Sequence, residues 1–334
     1  MCIMTDQDSS GARADITWRL GATTVHGTLV RPFGPGPFPA VVMVAGSGPT
    51  DRDWNSSLLP GSNGSARLLA EAFARAGIAS LRYDKRASGP QARENMQALI
   101  GKLSMQSHVD ELAGAVRTMA SQVYARDGRI FALANSEGTL HALNYQLRSP
   151  AIPFAGLVLT GPPGRPVGTV ARSQLAAQAA GLPNRAALMN LYDAAIARFL
   201  AGEPIAPDLS LPQGVRLLLQ SLETPANLPF ARELWRADAA TLLRQVDVPV
   251  LVIIGKKDIQ VDWQADGAPL QRAAAGRADV TFLYPENANH VLKQEPRPRS
   301  ALAPAEIAGS YNGPDTRLDP EIRAGILTWL AAHA

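Results

Sequence analysis

The fold of this chain is decided by one stretch, Gly128–Leu147, which reads GRIFALANSEGTLHALNYQL. Arg129–Leu133 is a short run suited to a buried strand, and residues 134–138 (ANSEG) suit a turn. From Thr139 onwards leucines recur at helical spacing. The stretch therefore predicts a strand, a sharp turn and a helix, with Ser136 in the middle of the turn.

This layout is typical of a nucleophile elbow, whose usual form is G-x-S-x-G. A serine on such a turn stands clear of the sheet edge, and the N-terminus of the next helix points unpaired N–H groups towards it. Gly138 occupies the second glycine position, whereas Ala134 replaces the first. Because alanine is the next smallest residue, we interpret Ser136 as a candidate nucleophile.

The remaining pattern predicts an α/β fold with a mostly parallel sheet flanked by helices. A hairpin of Ala14–Leu20 and Thr23–Arg31 is followed by strand and helix patterns in alternation. Further strands are predicted at 40–45, 78–83, 154–160, 248–254 and 279–284, and helices at 65–76, 107–124 and 318–332.

The alternation stops between residues 165 and 245, where helical patterns follow one another. They cover 170–180, 185–201, 214–222 and 229–244. The predicted organisation is an N-terminal tail (1–13), a core of two segments (14–164 and 246–334) and a helical cap inserted between them (165–245). A proline-rich polar loop is predicted at 296–317.

Composition excludes several classes of function. The 334 residues are 46% hydrophobic and 18% charged, with a formal net charge of +3 and no run of basic residues, so we expect no nucleic-acid partner. The single cysteine, Cys2, excludes an internal disulfide. No apolar stretch is long enough to span a membrane and no signal peptide is visible, which predicts a cytoplasmic location.

Two further residues lie where a nucleophilic serine needs partners. Asp258 follows the strand predicted at 248–254, and His290 follows the strand predicted at 279–284. Since the C-terminal ends of parallel strands share one edge of the sheet, both should converge on Ser136 there. His290 would act as the base and Asp258 would orient it, with Asp262 and Asp266 as alternatives to Asp258.

An oxyanion hole needs backbone donors next to that serine. The glycine-rich segment 46–53 (GSGPTDRD) leaves a buried strand with free N–H groups, and it lacks the sequence of a phosphate-binding loop. We predict the N–H groups of Ser47 and Glu137 as the donors. Residues 51–53 (DRD) are expected to form a buried ion-pair network with residues 84–86 (DKR) that holds this loop, with substrate binding as the alternative. The predicted pocket contains Gly46, Gly48, Tyr192 and Trp235. No metal or cofactor site is predicted, and His141 is interpreted as a packing residue.

Taken together, these segments resemble the α/β-hydrolase superfamily, in particular a bacterial branch of serine esterases with a G-S-G-P-x-D-R-D segment. The matching segments are 46–53, 82–86 (RYDKR), 135–138 (NSEG), 255–258 (GKKD) and 289–290 (NH), and the resemblance spans residues 15–333. It departs at Ala134 and at Ala87, which stands where glycine commonly follows Asp-Lys-Arg.

The resemblance implies hydrolysis of carboxylic esters through an acyl-serine, with a small acyl ester or thioester as the substrate. A thioesterase, lactonase or acyltransferase with the same three residues remains open. A non-catalytic ligand-binding protein on the same fold is the alternative from another class. The sequence leaves the oligomeric state open.

Overall fold

The computed structural model describes residues 11–334 except Ser88 and Pro90. Most of the predicted N-terminal tail, including Cys2, lies outside the described residues. The first strand begins at Ala12, two residues before its predicted start at Ala14.

A single eight-stranded sheet forms the centre of the molecule, in the order β1-β2-β4-β3-β5-β6-β7-β8. β1 and β2 form the predicted antiparallel hairpin, and β2 also pairs antiparallel with β4. All other neighbours are parallel, which confirms the predicted α/β class. In chain order, strands β1 to β8 are Ala12–Leu20, Thr23–Arg31, Phe38–Val44, Ala79–Tyr83, Ala125–Asn135, Gly156–Thr160, Val250–Ile253 and Val280–Leu283.

Helices cover both faces of the sheet. On one face, α3 (Met105–Ala120) and α4 (Glu137–Leu147) share a hydrophobic cluster with alternate residues of the strands. On the other face, α1 (Ser65–Arg75) and α12 (Pro320–His333) pack on the remaining strand residues. The central parallel strands are therefore buried on both sides, as their continuous apolar runs predict.

Five helices lie between β6 and β7. They are α5 (Val167–Gln178), α6 (Arg185–Ala201), α7 (Gln213–Leu222), α8 (Phe230–Arg236) and α9 (Ala239–Leu243). Residues of α5 to α8 form a separate hydrophobic cluster. In contrast, α9 packs against α4 and α10 (Gly267–Ala273) in the core, although it falls inside the segment predicted as a cap.

Some predicted elements differ from the structure. The single helix predicted at 229–244 is two helices, because Ala237 is extended and the Asp238 side chain caps α9 by accepting from the Thr241 N–H at 2.6 Å. The loop predicted at 296–317 contains two 3-10 turns and the helix α11 (Ile307–Asn312). The helix α2 (Ala92–Leu99) was not predicted.

Within the described part of the chain, we find no helix with the length and hydropathy that a membrane span requires.

The elbow depends on a very close approach between α4 and β3. A Cβ atom on Gly138 would lie 2.5 Å from the carbonyl oxygen of Ala45 and 2.8 Å from that of Val44. Ala134 has no such constraint, since it is a regular residue of β5 whose methyl group is accommodated in the buried sheet. The second glycine of the elbow is therefore required for packing here, and the first is not.

We expect Gly138→Ala to lower the free energy of unfolding by about 3 kcal/mol, because the added methyl group would push α4 away from β3. The matched variant Ala134→Gly should cost only about 1 kcal/mol, the ordinary cost of glycine within a strand. Urea unfolding of both variants beside wild type measures the difference. Equal effects would show that the approach at Gly138 does not limit packing.

Candidate active site

Ser136 lies at the end of β5 in a strained backbone conformation. Its φ of 53° and ψ of −123° are rarely adopted by residues other than glycine. Its N–H donates to the carbonyl oxygen of Thr160 at 2.8 Å, and its own carbonyl oxygen accepts from the Thr139 N–H at 3.0 Å. These two bonds hold the turn between the sheet and the first turn of α4, with the Ser136 side chain partly exposed.

His290 and Asp258 form a buried hydrogen-bonded pair. The His290 Nδ1 lies 2.7 Å from the Asp258 Oδ2, and both side chains are almost fully buried. The other Asp258 oxygen accepts from the backbone N–H groups of Gln260 and Val261, at 2.7 and 2.9 Å. Because a carboxylate only accepts, Nδ1 carries the proton and Nε2 is left as the basic nitrogen.

The two alternative carboxylates are engaged elsewhere. Asp266 binds Arg165, with Oδ2 2.9 Å from the guanidinium, and Asp262 binds Arg299 at 2.7 Å. Neither has a hydrogen bond to His290 among the described residues. Of the three carboxylates, Asp258 is therefore the one that is hydrogen-bonded to His290 in the described part of the chain.

Asn135 connects the serine turn to the histidine loop. Its side-chain amide donates to the carbonyl oxygen of His290 at 3.1 Å and to the hydroxyl of Thr160 at 3.1 Å. Ser136 and His290 line the same small cavity of about 160 Å³, together with Gly46 and Ser47. Residues that lie more than 150 positions apart in the chain thus meet at one edge of the sheet.

The two predicted oxyanion donors lie at this edge. Ser47 follows the end of β3, and Glu137 is the first residue of α4. Among the residues that the structure describes, neither of their backbone N–H groups has a hydrogen-bond acceptor. Both are free to bind a ligand beside Ser136, and the N-terminus of α4 favours negative charge there.

The carboxylate of Glu137 lies below this edge in a buried charged cluster. It accepts from the Lys85 ammonium at 2.8 Å and from the His141 Nε2 at 3.1 Å, and Lys85 also donates to the carbonyl oxygen of Gly46 at 2.5 Å. Burial alone would raise the pKa of Glu137, but the charge of Lys85 and the bond from His141 hold it well below its usual range. Glu137 is thus ionised and paired.

The ion pairs around segment 46–53 differ from the expected network. Arg52 does bind Asp84, at 2.7 Å, as predicted. Asp51, however, accepts from Asn55, while Lys85 binds Glu137 and Arg86 binds Glu111 at 2.9 Å. The prediction that 51–53 and 84–86 pair with one another is therefore right for one pair and wrong for the others.

One cluster of the described residues has the composition of a metal site. Ligand atoms of His108, Glu137 and His141 all lie within 4.8 Å of one another. The Lys85 ammonium already occupies the Glu137 carboxylate and would repel a second cation. This donor set therefore does not suit a metal ion, and the interpretation of His141 as a packing residue agrees with its burial and its stacking on His108.

A larger cavity of about 560 Å³ also reaches Ser136. Its lining is mostly apolar and comes from helices α5, α7 and α8 as well as from the sheet edge. The residues that line it include Ser136, Val170, Leu175, Val215, Leu218 and Trp235.

Two of the four predicted pocket residues line a cavity, and the other two do not. Trp235 lines the larger cavity and Gly46 the smaller one. Tyr192 lines neither, because it is buried in the hydrophobic cluster of α5 to α8, and Gly48 is exposed on the loop. The sequence analysis missed Gln260, which lines both cavities; its position two residues after Asp258 was the available signal.

Comparison with known proteins identifies the family of this chain. A model of the Alpha/beta hydrolase family matches residues 41–305, which is most of the chain. The chain belongs to this family. Among curated proteins, the hydrolase is similar to Esterase EstD of Thermotoga maritima, with 29% identity over 268 residues. The aligned region covers 80% of this chain but only 57% of EstD, less than two thirds of that relative's length.

Solved structures support the same α/β-hydrolase fold. An esterase of Pyrococcus furiosus aligns with 99% of this chain and 94% of its own, with a TM-score of 0.58 and 15% identity. Proline iminopeptidase of Mycobacterium smegmatis aligns with 96% of this chain and 98% of its own, with a TM-score of 0.54 and 16% identity. At these identities the likeness concerns the fold alone.

The buried cluster predicts a dependence of stability on pH. Burial lowers the pKa of His141 from 6.5 to about 4, although the hydrogen bond to Glu137 opposes this shift. Between these values the unfolded chain binds more protons than the native state. The free energy of unfolding should therefore fall as the pH drops through this window, by up to about 3 kcal/mol.

Urea unfolding across this window, for wild type and for His141→Gln, measures the contribution. The variant should lose less stability than wild type between pH 6.5 and about 4, because glutamine does not titrate. Parallel curves for the two proteins would show that His141 is not the group responsible.

Proposed function

We propose that this α/β hydrolase cleaves carboxylic esters through a covalent acyl-serine, as a member of the serine esterase branch that carries the segment 46–53. The observation that supports the proposal best is the 2.7 Å bond between His290 and Asp258 at the edge where the strained Ser136 lies. In this proposal Ser136 is the nucleophile, His290 the general base and acid, and Asp258 the group that orients the imidazole.

The reaction would proceed in two halves. His290 Nε2 takes the proton of the Ser136 hydroxyl as its oxygen attacks the ester carbonyl carbon, and the N–H groups of Ser47 and Glu137 bind the resulting oxyanion. Collapse breaks the bond to the alcohol, which leaves with the proton from His290. Water then attacks the acyl-serine in the same way, which releases the carboxylic acid and restores Ser136.

The two cavities suggest how an ester would be oriented. The leaving alcohol must lie near His290, which lines only the smaller cavity of about 160 Å³. The acyl chain would then occupy the larger apolar cavity of about 560 Å³, closed by the helices between β6 and β7. We therefore infer that these helices act as a cap, and that the substrate combines an apolar acyl chain with a small alcohol.

Similarity to EstD supports ester hydrolysis, since that relative is named an esterase. Other acyl transfers with the same three residues, and ligand binding without turnover, are outcomes that the experiment below separates. The cytoplasmic location and the absence of a nucleic-acid partner stay predictions from the sequence.

Active-site labelling tests the nucleophile. Wild type treated with a fluorophosphonate should gain one adduct by intact-mass spectrometry and should hydrolyse p-nitrophenyl esters. Ser136→Ala should lose the adduct and lower kcat by about 10⁴-fold or more, whereas Ser121→Ala, at an exposed serine of α3's C-terminal end, should retain both. A wild-type protein with neither adduct nor turnover would contradict the proposal and favour a binding role.

The cavity also predicts the response to acyl chain length. Gly214 lines the larger cavity, and a Cβ at this position would have no atom within 4 Å. Gly214→Leu should therefore fill part of the cavity and lower kcat/KM for esters of eight to twelve carbons by about tenfold, because roughly two methylene groups lose their burial. Esters of two to four carbons should be little affected.

Gly181→Leu is the matched control. Gly181 is exposed, as Gly214 is, and also has no atom within 4 Å of an added Cβ, but it lies outside the larger cavity. Its chain-length profile should equal that of wild type. If Gly214→Leu gave the wild-type profile as well, the acyl chain would lie elsewhere.

A further inference from the structure

Lys85 is a buried cation that the proposed mechanism does not use. It follows β4 within the segment Asp84-Lys85-Arg86, and its side chain is 7% exposed. Its ammonium group makes two short contacts, to the carboxylate of Glu137 at 2.8 Å and to the carbonyl oxygen of Gly46 at 2.5 Å. Both contacted residues belong to the two segments that carry the proposed oxyanion donors.

The contact to Gly46 controls the direction of the Ser47 N–H. The carbonyl group of Gly46 and the N–H of Ser47 belong to the same peptide unit, which is trans. In a planar trans peptide these two groups point in opposite directions, so a cation that holds the oxygen on one side directs the N–H to the other. A charge on the oxygen also polarises the peptide and strengthens its N–H as a donor.

The contact to Glu137 joins the same ammonium group to the residue that carries the second proposed donor. Glu137 is the first residue of α4, and its carboxylate is bound from below by Lys85 and by His141. One ammonium group therefore connects the end of β3 to the start of α4. Small movements matter here, because a Cβ on Gly46 would already lie 3.1 Å from the Cβ of Ser136.

We propose that Lys85 is a positioning residue for the oxyanion hole, which sets the orientation of the Ser47 N–H through its bond to the Gly46 oxygen. This inference rests on the proposed esterase function. It also gives a reason for placing an ion pair in the core, since a buried pair contributes little stability compared with apolar residues of similar size.

Two isosteric variants separate the contact to Gly46 from the ion pair. Glu137→Gln keeps Lys85 and its bond to the Gly46 oxygen, whereas the double variant Lys85→Met, Glu137→Gln removes that bond and leaves no unpaired charge in the core. The double variant should lower kcat by about a hundredfold relative to Glu137→Gln, with KM changed less than about threefold, because only the transition state carries the oxyanion.

A trifluoromethyl ketone gives a second readout. It adds to the serine as a tetrahedral oxyanion, so its inhibition constant should rise in parallel with the loss of kcat/KM. A lysine with a purely structural role would change the urea midpoint of unfolding but not the ratio between inhibitor and substrate affinity. Lys85→Gln, Glu137→Gln, whose shorter side chain is not expected to reach Gly46, serves if the methionine variant does not fold.

The outcomes distinguish this inference from the proposed function. Turnover and labelling of wild type, with equal kcat in Glu137→Gln and the double variant, would overturn the role of Lys85 and leave the esterase intact. If kcat fell about a hundredfold from wild type to Glu137→Gln and did not fall further in the double variant, the role of Lys85 would also be overturned. The ion pair, and not the contact to Gly46, would then matter. Absence of turnover in wild type would reject the esterase itself.

Discussion

The rest of the structure depends on the close contact between the start of α4 and the end of β3. Gly138 allows the backbone of α4 to lie against the carbonyl groups of Val44 and Ala45. This contact brings the last residues of β3 beside the turn that carries Ser136. The backbone N–H groups of Ser47 and Glu137 lie close to the strained Ser136 because no side chain separates the two segments at Gly138.

Parallel strand geometry supplies the remaining residues of the site. The parallel strands β3, β5, β6 and β7 all end at the same edge. Ser47 follows β3, and Ser136 follows β5. Asp258 and His290 arrive after β7 and β8, and the side chain of Asn135 joins the histidine loop to the serine turn. The edge concentrates chemistry because the loops that leave it all start from neighbouring strands of one hydrogen-bonded sheet.

A layer of buried charge lies directly beneath this edge. Lys85 with Glu137, and Arg86 with Glu111, are almost fully buried pairs that link the loop after β4 to α4 and α3. Desolvation makes such pairs costly unless each member is well bonded, and here each has more than one partner. Their bonds leave little freedom to the backbone above them, which is the requirement of a preorganised site.

Particular elements show where sequence-based prediction reached its limit. The apolar runs of the strands and the serine turn were found because period and turn composition are local properties. The segment 296–317 was predicted as a loop because its prolines and polar residues conceal α11, whose Tyr311 is buried beside Gln260. Tyr192 was assigned to the pocket on residue type, yet packing within the helices between β6 and β7 directs it away.

By itself, the sequence determined the α/β architecture and the chain order of Ser136, Asp258 and His290, since both follow from local patterns and from where strands end. Only the tertiary structure decided which charged groups pair, which residues line the two cavities, and that Lys85 lies between Gly46 and Glu137. Those contacts join segments tens of residues apart. Their distances depend on how β3, β4 and α4 pack together, which no local pattern encodes.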